Sequence, residues 1–117
     1  MAERGTGIPV VIAGLGEIGR AVARAVLEMP DLRLVGAVDP AHTGRQLDAM
    51  LGRPGSGLVV EGDAARPLAA ARGGVLVQAV SSRIAEVLPQ IEQAVKGGLS
   101  VASVPPRSSA RFVLNGK

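Results

Sequence analysis

Three glycines and one aspartate are the residues of this 117-residue chain whose spacing is typical of ligand binding. Gly14, Gly16 and Gly19 fit the pattern G-x-G-x-x-G between an apolar run and a helical pattern. In that setting the first glycine permits a sharp turn, the second lets a phosphate approach the backbone, and the third lets helix and strand pack closely. The helix N-terminus offers unpaired N–H groups to that phosphate. The pattern therefore predicts a pyrophosphate-binding loop, formed by Gly14, Leu15, Gly16, Glu17, Ile18 and Gly19.

Asp39 ends a second apolar run, 20 residues after Gly19. A carboxylate at that distance accepts hydrogen bonds from the adenosine ribose hydroxyls and repels a 2′-phosphate, which favours NAD over NADP. His42 and Arg45 follow closely, and either side chain can turn toward a 2′-phosphate, so both cofactors stay open. Each feature also has a purely structural interpretation: the glycines as turn residues, and Asp39 as a helix cap or turn residue before Pro40. Strand, loop, helix and acid together favour dinucleotide binding.

Short apolar runs alternate with helical patterns along the chain, which predicts a Rossmann-type α/β fold. Continuous apolarity is typical of strands buried on both faces of a parallel sheet. We expect about five strands in the order 3-2-1-4-5, with helices on both faces as a three-layer αβα arrangement. The predicted strands cover residues 8–13, 32–39, 57–62, 74–80 and 99–104. The predicted helices cover residues 17–29, 45–50, 64–72 and 81–98, and Gly97-Gly98 ends the last of them.

Two of the predicted helices carry apolar faces that are expected to pack on the sheet. On the first helix, helical spacing predicts that the following residues face the core: Ile18, Val22, Ala25, Val26 and Met29. On the last helix, the same spacing predicts that the following residues face the core: Ile84, Val87, Leu88, Ile91 and Val95.

The end of the fourth predicted strand supplies the other half of the expected site. In such a sheet the ligand lies across the carboxyl ends of the strands, at the point where the strand order reverses. Ala79, Val80 and Ser81 are therefore expected beside the nicotinamide ribose, where Ser81 or Ser82 can form a hydrogen bond to it. Ser82 also has the position of an N-cap for the following helix.

Composition argues against several other classes of protein. Apolar residues make up 47% of the chain, but no apolar run approaches the roughly 18 residues that span a bilayer. The charged N-terminus does not have the pattern of a secretory signal, so we expect a cytoplasmic protein without a membrane partner. The absence of cysteine excludes disulfides and Cys-ligated zinc. Scattered arginines, a net charge of +3 and a single aromatic residue, Phe112, argue against nucleic-acid binding.

Four segments carry a resemblance to a known family: "VVIAGLGEIGRAVARAV", "LRLVGAVDP", "VLVQAVSSR" and "QIEQAVKGGLSVAS". They resemble the N-terminal NAD(P)-binding domain of dihydrodipicolinate reductase and its relatives, which include 2,4-diaminopentanoate dehydrogenase. The resemblance covers about residues 8–103. It implies NAD(P)H-dependent hydride transfer to an imine-type substrate, in homo-oligomers built through a C-terminal domain.

The chain departs from that family after the last predicted strand. The family's substrate domain carries a histidine pair and a lysine, whereas this sequence has one histidine and no such signature. We therefore predict an NAD(P)-binding domain over residues 1–104 and a tail over 105–117, which is either an incipient edge strand or disordered. No catalytic residue and no metal ligand are predicted. Three interpretations stay open: an oxidoreductase domain acting as a homodimer or with a missing partner chain, a stand-alone regulatory module that binds a dinucleotide, and a truncated remnant.

Overall fold

Four parallel strands form the central sheet of the chain, which a computed structural model describes for residues 7–79 and 91–103. In chain order they are β1 (Ile8–Ala13), β2 (Leu32–Val38), β3 (Val75–Gln78) and β4 (Ser100–Ser103). Their order across the sheet is β2-β1-β3-β4, and all three pairings are parallel. The predicted Rossmann-type α/β fold is therefore confirmed, together with the predicted arrangement of these four strands.

Helices cover both faces of this sheet. They are α1 (Glu17–Glu28), α2 (Leu47–Leu51), α3 (Ala65–Ala70) and α4, whose described part is residues 91–96. A single 3₁₀ turn, Pro40–His42, follows β2. Buried residues of α1 and α2 share one apolar cluster with the sheet, whereas those of α3 and α4 share a second cluster on the opposite face. The result is the expected three-layer arrangement.

Alternation along β1 divides its side chains between the two clusters. Val10 and Ile12 pack in the cluster with α1 and α2, whereas Val11 and Ala13 pack in the cluster with α3 and α4. All four are at most 3% exposed, as a strand between two helical layers requires. The apolar run of β1 is therefore continuous because both faces of this strand are buried, as predicted.

The predicted strand over residues 57–62 is not present as a strand, so the sheet has one strand fewer than expected. Among the described residues, only an isolated parallel bridge, Val38 to Glu61, continues the sheet beyond β2. The preceding residues bond to a different segment: Val60 N–H donates to Arg45 O at 2.9 Å, and Val59 pairs with Gln46 in an antiparallel bridge. The nearby 44–47 segment therefore takes the backbone groups that a longer parallel strand would need.

The buried face of α1 agrees only in part with the predicted one, because Val26 is buried and Val22 packs against the core as expected, but other positions differ. The residues it buries are Gly19, Ala23 and Val26, while Ala25 is exposed and Met29 is 48% exposed. Small residues at i and i+4 let the helix axis approach the sheet, so this row of the helix faces the core. The prediction assigned the larger apolar side chains to the core, whereas the close contact between helix and sheet places Gly19 and Ala23 there.

Gly97 and Gly98 end α4, as predicted. Gly98 has φ +85, and Leu99 N–H donates to Ala94 O at 2.9 Å, which satisfies a terminal carbonyl of the helix. Ala94 is fully buried, but Val95 is 60% exposed and does not join the core as expected. The core positions predicted at Ile84, Val87 and Leu88 lie outside the described residues.

A bulge in β2 adapts the sheet to α3. The register with β1 shifts between Val10 and Val11, because Val10 pairs with Leu34 whereas Val11 pairs with Gly36. A Cβ on Gly36 would lie 2.7 Å from the Pro67 Cβ of α3. Glycine at this position therefore lets α3 lie directly on the sheet.

Among the helices of the described residues, none is long and apolar enough to cross a membrane. The tail predicted over 105–117 lies outside the described residues, as does the boundary at residue 104.

Candidate functional site

The carboxyl ends of three neighbouring strands meet at one edge of the sheet. Ala13 of β1 pairs with Val38 of β2 on one side and with Gln78 of β3 on the other. The ladder continues by one residue on each side, because Gly14 N–H donates to Val38 O and Ala79 N–H donates to Ala13 O, both at 2.8 Å. The glycine loop, Asp39 and Ala79 therefore lie next to one another, where the sequence placed them.

The glycine loop has the backbone geometry that each glycine was expected to permit. Gly14 has φ +98, a conformation that side chains with a Cβ rarely adopt. A Cβ on Gly19 would overlap the carbonyl oxygen of Gly14, so the start of α1 touches the loop. A Cβ on Gly16 would meet no atom within 4 Å, so open space lies above this residue. The loop is closed on its inner side and open on its outer side.

The first turn of α1 presents backbone donors at this open side. The first hydrogen bond of the helix runs from Arg20 N–H to Gly16 O at 3.0 Å, so the N–H groups of Glu17, Ile18 and Gly19 precede the helical ladder. Gly16 is the N-cap residue and forms no side-chain capping hydrogen bond. The Glu17 side chain is exposed, as expected for an acid in the first turn that leaves the loop surface accessible.

The Asp39 carboxylate joins the end of β2 to the glycine loop. Its Oδ2 accepts a hydrogen bond from Leu15 N–H at 2.8 Å, and its Oδ1 accepts one from Ala41 N–H at 3.0 Å. The second bond caps the 3₁₀ turn after β2, which was the structural interpretation of this residue. The first bond links segments 24 residues apart and aims the carboxylate at the loop.

His42 and Arg45 lie together just beyond Asp39. Arg45 Nη1 is 3.5 Å from His42 Nδ1, with His42 half-buried and Arg45 exposed. His42 N–H donates to Asp39 O at 3.0 Å, and Arg45 N–H donates to His42 O at 3.2 Å. Two successive turns therefore keep both side chains near the end of β2, although neither bonds to the carboxylate of Asp39.

On the β3 side, the structure describes only the first of the expected contact residues. Ala79 is 9% exposed and lies beside Gly19, whose added Cβ would be 3.6 Å from the Ala79 Cβ. Gln78, which ends β3, is 3% exposed. Val80 and Ser81 lie outside the described residues, so their expected contacts stay predictions.

Sequence reasoning did not anticipate the bond between Leu15 and Asp39. Leu15 was expected as a residue of the pyrophosphate-binding loop, but its side chain is fully buried and its amide is already bonded. The signal was available in the predicted strand order: because β1 and β2 are neighbours, the residues after each strand must meet. Among the described residues, no group of three or more His, Cys, Asp or Glu is placed to hold a metal ion.

The parallel order, the glycine loop at the end of β1 and the acid at the end of β2 define a Rossmann-type domain. A structure of similar fold is that of an amine dehydrogenase from Mycobacterium smegmatis, with a TM-score of 0.72 and 26% identity. The match covers 86% of this chain and 30% of that chain. The class of fold that the sequence predicted is thus shared with an oxidoreductase.

Sequence comparison identifies the relatives within that class. A 4-hydroxy-tetrahydrodipicolinate reductase from Moorella thermoacetica is 33% identical over 91 residues, covering 75% of this chain and 34% of the relative. The enzymes of the same name from Synechocystis and Nostoc are 48% and 44% identical over 48 residues. The resemblance to dihydrodipicolinate reductases is therefore confirmed. The chain spans about a third of the Moorella enzyme's length and under a fifth of the other two, and no protein-family profile matches it.

Proposed function

We propose that this chain binds a nicotinamide dinucleotide across the carboxyl ends of β1, β2 and β3. The observation that carries the proposal is the free space above Gly16, next to helical N–H groups that precede the first hydrogen bond of α1. Two phosphate groups fit such a position because the N–H groups and the helix dipole both favour negative charge. Within the glycine loop, residues 14–19, the N–H groups proposed to bind the pyrophosphate are those of Glu17, Ile18 and Gly19, and Gly16 leaves room for the phosphates.

The adenosine ribose is proposed to lie against Asp39. Each carboxylate oxygen accepts one backbone N–H and keeps a second lone pair, so the ribose hydroxyls can still donate to it. The hydrogen bonds from the two backbone amides hold the carboxylate in place. The carboxylate therefore cannot easily rotate away from the 2′-phosphate of NADP. We therefore propose NAD as the preferred form, with His42 and Arg45 as the groups that would contact the 2′-phosphate of NADP.

The names of the relatives, which are reductases and a dehydrogenase, support a reaction class for this proposal. We propose that the chain is the dinucleotide-binding part of an oxidoreductase that transfers a hydride to an imine-type substrate. When bound, the nicotinamide ring supplies the hydride, and the residues of this chain hold and orient the cofactor. Substrate-binding groups are proposed to come from outside the described residues, because the matches cover only 34% of the Moorella relative and 30% of the amine dehydrogenase.

Association is part of the proposal. Within the described residues, β4 pairs with β3 on one side only, so its other side leaves backbone groups for pairing. We propose that a second copy or a partner chain completes the protein. Analytical ultracentrifugation of the full chain is expected to show a dimer, and a monomer at high concentration would contradict a homodimer.

Replacement of Gly16 by alanine tests the nucleotide site. The added methyl group would meet no protein atom within 4 Å, so stability should change by less than about 1 kcal/mol. The same methyl group would occupy the space through which the pyrophosphate approaches, so calorimetry should show at least an approximately tenfold loss of NAD affinity.

Gly97→Ala is the matched control for this experiment, because its added Cβ would make only ordinary contacts at 3.4 Å and beyond, at the end of α4. This control variant should bind NAD as the wild type does. An unchanged NAD affinity in the Gly16→Ala variant would refute the proposed site.

A further inference from the structure

The Leu15 amide needs an acceptor that the sheet does not supply. Gly14 N–H forms the last ladder bond between β1 and β2, to Val38 O at 2.8 Å. Beyond it, the chain after β2 turns at Pro40, so no backbone carbonyl of β2 continues alongside the loop. Leu15 is fully buried, and a buried N–H without a partner is costly.

Asp39 Oδ2 supplies that acceptor at 2.8 Å. Its other oxygen accepts the amide of Ala41 at 3.0 Å, two residues further along the chain. Two donors on two different oxygens determine the orientation of the carboxylate plane. The loop is thereby joined to the end of β2 by a hydrogen bond within the chain.

We infer that Asp39 is a positioning residue for the glycine loop as well as a partner for the ribose. The bond to Leu15 holds the backbone between Gly14 and Gly16 in the conformation that leaves space for the phosphates. Ordering of the loop before binding lowers the entropy lost on binding, which raises affinity for the phosphate groups themselves. The expected effect on affinity rests on the proposed function, but the hydrogen bond itself can be tested without any ligand.

Hydrogen exchange in the nucleotide-free full chain tests the hydrogen bond. Asp39→Ala removes both acceptors, so the Leu15 amide is expected to exchange about tenfold faster than in the wild type. The amide of Gly14, bonded to Val38 O, serves as the internal reference and should change less than about threefold. An unchanged Leu15 rate would overturn the inference, as would equal acceleration of the Gly14 and Leu15 amides.

Asp63→Ala is the matched control. Asp63 Oδ1 accepts the amide of Ala65 at 3.1 Å, two residues further along the chain, as Asp39 does with Ala41. The Asp63 variant should leave the Leu15 rate unchanged. Asp39→Asn provides a second variant should the alanine variant fail to fold, because it keeps one oxygen acceptor and replaces the other by an amide nitrogen.

A ligand without ribose hydroxyls separates the two roles of Asp39. If the residue acted only on the ribose, wild type and Asp39→Ala would bind 2′,3′-dideoxy-ADP equally, and this result would overturn the positioning role. We expect the variant to bind this probe about five- to tenfold more weakly. If the wild type binds neither this probe nor NAD, the proposed function fails, and the exchange rates alone decide whether Asp39 holds the loop.

Discussion

Asp39 and the glycine loop form one unit in which each residue has a separate physical task. Gly14 provides a backbone conformation with positive φ, Gly19 provides close contact with Gly14, and Gly16 leaves open space. The carboxylate of Asp39 binds the amide between the first two glycines. Three glycines and one aspartate therefore build a surface of N–H groups with an acid at its edge.

Loss of the Asp39 carboxylate should change cofactor preference. Asp39→Ala removes an acceptor for the ribose hydroxyls of NAD and also removes the charge that repels the 2′-phosphate of NADP. The affinity for NAD should therefore fall more than the affinity for NADP, by about tenfold in the ratio of the two dissociation constants. Calorimetric titration of both nucleotides measures this ratio. Equal losses for the two nucleotides would show that Asp39 does not contact the ribose.

At the residue scale, the sequence predicted positions better than contacts. The spacing of Gly14, Gly16, Gly19 and Asp39 placed these residues at one sheet edge, because parallel neighbours end at the same edge. The pairing of Leu15 N–H with Asp39 depends on the exact turn at Gly14, which spacing does not specify. Hydrogen bonds between distant segments, such as this one, could therefore not be predicted from the sequence.

The elements show where local patterns suffice and where tertiary pairing decides. The strand predicted at residues 8–13 matches β1, and α1 matches its prediction to within one residue. The strand predicted over 57–62 was wrong because residues 58–60 pair with residues 44–47, which leaves only Glu61 to pair with the end of β2. A short apolar run does not reveal which of two available backbone partners it will take.

The contact between α3 and β2 depends on Gly36, which has no side chain. Gly36→Ala would place a Cβ 2.7 Å from Pro67 Cβ, and a proline on a helix cannot rotate away. The free energy of unfolding should fall by about 1–3 kcal/mol in urea denaturation. In the control variant Gly97→Ala, the added Cβ would make contacts no shorter than 3.4 Å, so the loss should stay below about 1 kcal/mol. Equal losses in the two variants would contradict this packing account.

The loop after α2 should be sensitive to acid. The Ser56 hydroxyl, 2.6 Å from Asp48 Oδ1, and the backbone amides of Ser56, Gly57 and Gly55 hold the pKa of Asp48 below its ordinary value. A lowered pKa in the folded state adds stability above the unfolded value of about 3.9, and that stability is lost as pH falls through the folded-state pKa.

Urea denaturation over a series of pH values checks this expectation. Asp48→Asn should lower stability by about 1 kcal/mol near neutral pH, and its difference from the wild type should shrink below about pH 4. Ser56→Ala removes the largest cause of the lowered pKa and should reduce the pH dependence of the wild type. A difference between Asp48→Asn and wild type that is constant with pH would contradict the assigned cause.

In the whole molecule, the proposed binding surface lies where three strands end, and two apolar clusters form the core on the two faces of the sheet. α1 and α2 cover one face of the sheet, and α3 and α4 cover the other, so the loops at the carboxyl ends of the strands are held by a packed core. Strand alternation predicted this architecture from the sequence. The matches cover 34% of the Moorella relative and 30% of the amine dehydrogenase, so the substrate and the reaction remain proposals for this chain.

Thermal unfolding with NAD, NADH, NADP and NADPH tests the central claim most directly. A ligand that binds only the folded chain adds about 2.7 kcal/mol at a hundred times its dissociation constant, which raises Tm on the order of 10 °C. We expect NAD and NADH to raise Tm, with NADP and NADPH giving smaller shifts at equal concentration. An unchanged Tm with all four nucleotides would contradict dinucleotide binding by this chain.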